Sequence, residues 1–123
     1  MPTLLEHRCR RFALRVLSLV KSLPHTSAAE VVANQLVRSA TSIEPHLRAA
    51  RQTHSRRQSR EKLTGAETCV DESTYWLNLL LESEIIDPHT ATPLLREAED
   101  LTTALTSVHQ RRRRAPTLRA QFN

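Results

Sequence analysis

A chain of 123 residues that holds a single glycine, Gly65, has almost no means of making the left-handed turns on which sheets and barrels depend. Its aromatic residues are also few, namely Phe12, Tyr75, Trp76 and Phe122, which removes the other compositional mark of strands. An all-α domain is the architecture that remains. The length suits one domain, able to bury about two-thirds of its unfolded surface without disulfides or metal.

Helical periodicity runs through four segments. Leu5, Cys9, Phe12, Val16, Leu19 and Leu23 recur at spacings of three and four, which places one apolar stripe on a helix that Pro24 ends. Ser27-Ala-Ala-Glu30 fits a capping box at the start of a second helix, whose inward positions are Val32, Leu36, Ala40, Ile43, Leu47 and Ala50. Pro45 lies inside that helix and predicts a kink, because the apolar period continues unshifted across it. The polar stretch Gln52–Ser59 reads as a connection or a frayed helix end. A third helix is expected from about Arg60 to Ile86, with Leu63, Ala66, Val70, Leu77, Leu80 and Leu81 as its core face and Gly65 weakening it. Asp87-Pro88 marks a turn, and Thr92-Pro93 supplies an N-cap and first-turn proline for a fourth helix through Leu94, Ala98, Leu101, Leu105 and Val108. Four single-faced helices joined by short connections make an up-down antiparallel four-helix bundle over residues 1–110, followed by a basic, disordered tail over 111–123.

No apolar run approaches the roughly 20 residues needed to span a bilayer. The arginines and apolar residues near the N-terminus form the first helix rather than a signal peptide, since Arg15 and Lys21 interrupt the run. Cys9 and Cys69 fall on buried faces and read as reduced thiols of a cytoplasmic protein. The six histidines are scattered without the spacing of a zinc site, and one glycine cannot build a phosphate-cradling loop, so neither metal nor cofactor is expected.

Charge is segregated along the chain. Residues 48–62 hold six cations (Arg48, Arg51, Arg56, Arg57, Arg60, Lys62) against Glu61 alone, whereas residues 63–100 hold nine acids and only Arg96. In an up-down bundle the start of helix one, the connection between helices two and three, and the end of helix four share one pole. Arg8, Arg10, Arg11, Arg51, Arg56, Arg57, Arg60 and Lys62 are therefore expected to converge there with Arg111, Arg112, Arg113 and Arg114. The opposite pole is expected to gather Glu82, Glu84, Asp87, Glu97, Glu99 and Asp100. Such a basic pole would contact nucleic-acid phosphates, RNA or DNA, without reading sequence. Tyr75 and Trp76 mark a candidate contact with a partner or a second copy.

Arg38-Ser-Ala-Thr-Ser-Ile43, Lys62-Leu63 and Asp71-Glu-Ser-Thr-Tyr-Trp-Leu77 resemble, in order and spacing, the bacterial four helix bundle proteins related to those encoded in intervening sequences of 23S ribosomal RNA genes. The accessory variability determinant of diversity-generating retroelements is similar at greater distance. The resemblance spans about residues 5–108 and implies a ring-like homo-oligomer, a pentamer, with no catalytic site. In the retroelement branch it implies a surface that engages nucleic acid and a reverse transcriptase. The chain departs from the family pattern at His46, where the family has asparagine, and at Ala49, where it has an acid.

Two other readings stand beside this one. The basic pole could serve a scaffold whose partner is an acidic protein. Arg48-Ala-Ala-Arg-Gln-Thr-His54 resembles the motif of HEPN ribonucleases, in which the histidine acts as general base and the arginine steadies the phosphate.

Overall fold

The structure, a computed structural model, describes residues 1–114. Four helices account for most of them: α1 (Leu4–Lys21), α2 (Ser27–Gln52), α3 (Arg56–Glu82) and α4 (Pro88–Arg114). Each packs against its neighbours in the chain, and α4 closes the ring against α1, so the helices form the expected antiparallel bundle. The contact between α2 and α3 is the most extensive and that between α1 and α4 the least.

Local hydrogen bonding explains where each helix begins, and in three of four cases it moves the boundary read from the sequence. At α1, Thr3 Oγ1 accepts from the Glu6 N–H at 3.1 Å while the Glu6 carboxylate reaches back to Thr3, a full capping box. At α2 the cap is Thr26, which accepts from the Ala29 N–H at 3.2 Å, one residue before the expected Ser27–Glu30 box. Ser27 is already helical and cannot also be the cap. Ser55 caps α3 by accepting from the Gln58 N–H at 3.2 Å, so Arg56, Arg57 and Ser59 are helical rather than part of a connection. Asp87 Oδ1 accepts from the Thr90 N–H at 2.8 Å and starts α4 a turn before Thr92-Pro93. Thr92 instead bonds back to the Pro88 carbonyl at 2.7 Å. The other end of α4 reaches Arg114, four residues beyond the expected limit at Gln110. The remainder of the expected tail lies outside the described residues.

Helix α3 ends earlier than its apolar pattern suggested, at Glu82. Glu84 takes a φ of 63°, the Ile85 N–H bonds the Leu80 carbonyl at 3.0 Å, and the Glu84 N–H bonds the Leu81 carbonyl at 3.0 Å. This is a Schellman closure, with Ile85 packed against the core behind it. Helix α2, by contrast, runs unbroken across Pro45, which sits on an exposed face.

The core follows the four stripes. Phe12 and Val16, Leu36 and Ile43, Leu63, Val70, Leu77 and Leu80, and Leu101 and Leu105 are all completely buried. The buried serine hydroxyls within it are paired. Ser39 and Ser73 meet across α2 and α3 with their hydroxyls 2.9 Å apart, and each also donates to a carbonyl on its own helix or receives its partner's proton. About two turns away, the His46 ring lies against Gly65: a Cβ at residue 65 would stand 2.5 Å from His46 Cδ2. The lone glycine thus serves close approach of α2 to α3, not a turn.

Candidate nucleic-acid interface

Three side-chain contacts tie the four helix ends together at the pole read from the sequence as basic. Arg51, at the end of α2, clasps Glu6 on α1 with Nε to Oε2 at 2.7 Å and Nη2 to Oε1 at 3.1 Å. Ser59, in the first turns of α3, donates to the Ala50 carbonyl at 2.9 Å. Arg112, near the end of α4, donates to the Ser59 hydroxyl at 2.9 Å. Between these ends lies a groove of about 480 Å³ with a floor of Leu5, Leu47, Leu63 and Val108 and with Arg8, Arg111 and Arg112 at its sides.

The arginines nominated from the sequence divide into two sets. Arg8, Arg10 and Arg51 are engaged within the fold. Arg10 Nε lies 3.0 Å from Glu44, which is 9% exposed, and Arg8 lies 3.7 Å from Glu97. Glu97 therefore belongs to the side of the bundle, not to the acidic pole where the sequence reading put it. Glu6 is completely buried, and the Arg51 guanidinium, followed by Thr3, holds its carboxyl below the ordinary value despite desolvation. The same bond raises the Arg51 pKa. Sequence reasoning missed these buried carboxylates. The Thr3-x-x-Glu6 spacing carries a capping signal that the sequence reading passed over, and nothing in the sequence signals that Arg51 covers Glu6.

The second set faces outward. Arg11, Lys62 and Arg111 are exposed, Arg56 and Arg60 half-exposed, and among the described residues none of these five forms an ion pair within the fold. Arg57 pairs only with the exposed Glu61, at 3.3 Å on the same helix, a contact that costs little to leave. Arg113 and Arg114 complete α4. Helix α3 has no acid in its first turn.

Beside this pole, between α3 and α4, a groove runs from Arg57, Arg60 and Glu61 past Thr64 to His109, and continues along Glu67 and Asp71. His109 Nδ1 is hydrogen-bonded to Glu67.

The remaining nominated residues lie apart from the pole. Tyr75 is 56% exposed on α3, and Trp76 packs on the core; their rings meet edge to face with centroids 4.8 Å apart. Arg48 lies half-buried on α2, and His54 is exposed beyond that helix's end at Gln52. Cys9 is buried and Cys69 half-buried, both as free thiols. Burial, with Glu44 adding to it, pushes the Cys9 thiol up to about 12. No described helix is long and apolar enough to cross a membrane.

An antiparallel four-helix bundle with one arginine-rich end and no strand among the described residues defines the class. Residues 5–107 match the 23S rRNA-intervening sequence proteins, and the chain belongs to that family. It is similar to the crystal structure of a protein with unknown function from the S23 ribosomal protein family of Bacteroides thetaiotaomicron. The two are 29% identical with a TM-score of 0.80, over 86% of this chain and 98% of that one. No curated protein sequence matches the chain.

Proposed function

We propose that this protein is a non-enzymatic, oligomeric nucleic-acid-binding bundle that contacts phosphates through the cationic end formed by α3's first turns and α4's last. The observation that carries this reading is the arginine cluster at the start of α3. A helix N-terminus carries a positive partial charge and favours acids, each by about 0.3–1 kcal/mol. This one has Arg56, Arg57 and Arg60 and no first-turn acid, an arrangement that opposes helix stability and suits an anion. A phosphate there would meet the guanidinium groups and the unpaired N–H groups of the helix end together. Arg111 and Arg112 extend the same surface, because Arg112 bonds to Ser59 in that turn. The family's name, which ties its members to 23S rRNA intervening sequences, agrees with a nucleic-acid role.

Fluorescence polarisation with labelled oligonucleotides over a range of salt tests the proposal. If Arg56, Arg57, Arg60, Lys62, Arg111 and Arg112 meet phosphates, the log–log salt slope on duplex DNA is about −5. Replacing Arg56, Arg57 and Arg60 by alanine weakens binding to all sequences alike, because phosphate contacts carry no sequence information. Undetectable binding at low salt, or binding untouched by the triple substitution, overturns the reading. Light scattering tests the assembly, expected as a pentamer of the bundle with Tyr75 in the subunit contact. A monomeric mass at micromolar concentration contradicts it.

A further inference from the structure

The groove between α3 and α4 changes character along its length. Its outer part, about 340 Å³, is bounded by Arg57, Arg60, Glu61 and Thr64, and its inner part by Glu67 and Asp71, with His109 lining both. Glu61 offsets one of the two arginines, through its exposed pair with Arg57, so the outer part keeps a net positive charge that attracts a phosphate, whereas the inner part, with two carboxylates and no Arg or Lys, repels one. A nucleotide that rests its phosphate against Arg57 and Arg60 must therefore turn its sugar, not its next phosphate, toward Thr64 and His109.

His109 is prepared for that sugar. Its side chain is 15% exposed and Glu67's is 27% exposed, so the pair is largely shielded from water. A carboxylate can only accept, and the proton shared with Glu67 is therefore carried on Nδ1. In the neutral imidazole this leaves Nε2 as a lone-pair acceptor, and among the described residues no group donates to it. An acceptor at that place has no use for a phosphate, which offers only acceptors itself. It suits a hydroxyl, and the hydroxyl that separates RNA from DNA is the ribose 2′-OH.

We infer that the α3–α4 groove is a ribose-reading subsite: His109, held by Glu67, accepts a hydrogen bond from a 2′-hydroxyl while Arg57 and Arg60 hold the adjacent phosphate, so that the protein prefers RNA to DNA. This rests on the phosphate-binding reading above and names the nucleic acid that it would favour. His109 acts here as a recognition group, and no bond is made or broken.

Polarisation titrations with single-stranded RNA, DNA and 2′-O-methyl RNA of one sequence test the inference. One neutral hydrogen bond is worth about a three- to tenfold change in affinity. RNA is expected to bind about that much more tightly than DNA, and 2′-O-methyl RNA, which has no 2′ proton to donate, is expected to bind like DNA. His109→Phe, which keeps a ring against Glu67 and α3, should lower RNA affinity to the DNA level. Glu67→Ala frees the imidazole and should also erode the preference. The 2′-O-methyl comparison uses the unaltered protein and so holds whether or not either variant folds. RNA and DNA bound equally, or a preference that survives in 2′-O-methyl RNA or in His109→Phe, overturns the subsite alone. Failure of all three strands to bind at low salt overturns the phosphate-binding reading with it.

Discussion

Replacing Gly65 by alanine sets two effects of comparable size against each other. In a helix interior the exchange favours folding by about 1 kcal/mol, because alanine has less backbone freedom to lose. Here the new Cβ would lie 2.5 Å from His46 Cδ2 and 2.9 Å from Nε2, about 1 Å inside comfortable carbon contact. The ring cannot simply swing aside, since its Nδ1 is bonded to the Ser42 carbonyl at 2.8 Å, a bond worth about 1 kcal/mol net. The alternative is to part α2 from α3 at the bundle's most extensive contact. Overpacking of this kind costs about 1–3 kcal/mol. Gly65→Ala should therefore destabilise the protein by about 1 kcal/mol in the native background. In a His46→Ala background, where the obstacle is gone, the same change should stabilise it by about 1 kcal/mol. The coupling in this double-mutant cycle is then about 2 kcal/mol. Urea unfolding followed by circular dichroism, at one protein concentration for all four proteins, measures it. Equal stabilisation by Gly65→Ala in both backgrounds would refute the close-approach explanation of this glycine.

Further tests address other parts of the fold. Because Glu6 has a pKa held below its ordinary value of 4.5, its share of stability is complete above that pH and is lost as pH falls below it; Arg51→Met should lower stability near neutrality and flatten this acid limb of an unfolding series, and an unchanged limb would exclude the pair as its source. Cys9, buried and with its thiol raised to about 12, should resist a disulfide reagent at pH 8 until the protein unfolds, while half-buried Cys69 reacts first; equal, rapid reaction of both would contradict the packing. Glu84→Gly should raise stability by about 1 kcal/mol by relieving a non-glycine residue at a φ of 63°, and a loss on thermal unfolding would mean that the side chain does something the backbone geometry does not reveal.

The residues that the sequence made legible are those governed by composition and period. One glycine and four stripes at spacings of three and four specify four helices, and short connections between them leave an up-down bundle as the solution. Phe12, Leu36, Leu77 and Leu101 are buried where their periods put them. The basic end was legible for the same reason: connectivity alone brings the α2–α3 turn and the end of α4 to one pole. Helix starts were less so, because Thr26 and Ser27, or Asp87 and Thr92, are all competent caps, and the backbone selects between them by which residue stays extended.

What tertiary structure alone decided is which charges remain free. Arg51 and Arg56 are indistinguishable in the sequence, yet one covers the buried Glu6 and the other faces outward from the start of α3. In the sequence Gly65 is a weak point in a helix, whereas in the fold it is the space that the His46 ring occupies. His109, read as one of six scattered histidines, is oriented by Glu67, a residue 42 positions away. Each of these depends on the rotation and depth of one helix against another. Period places a residue on a face, but the partner that meets it there is chosen by packing between segments distant in the chain.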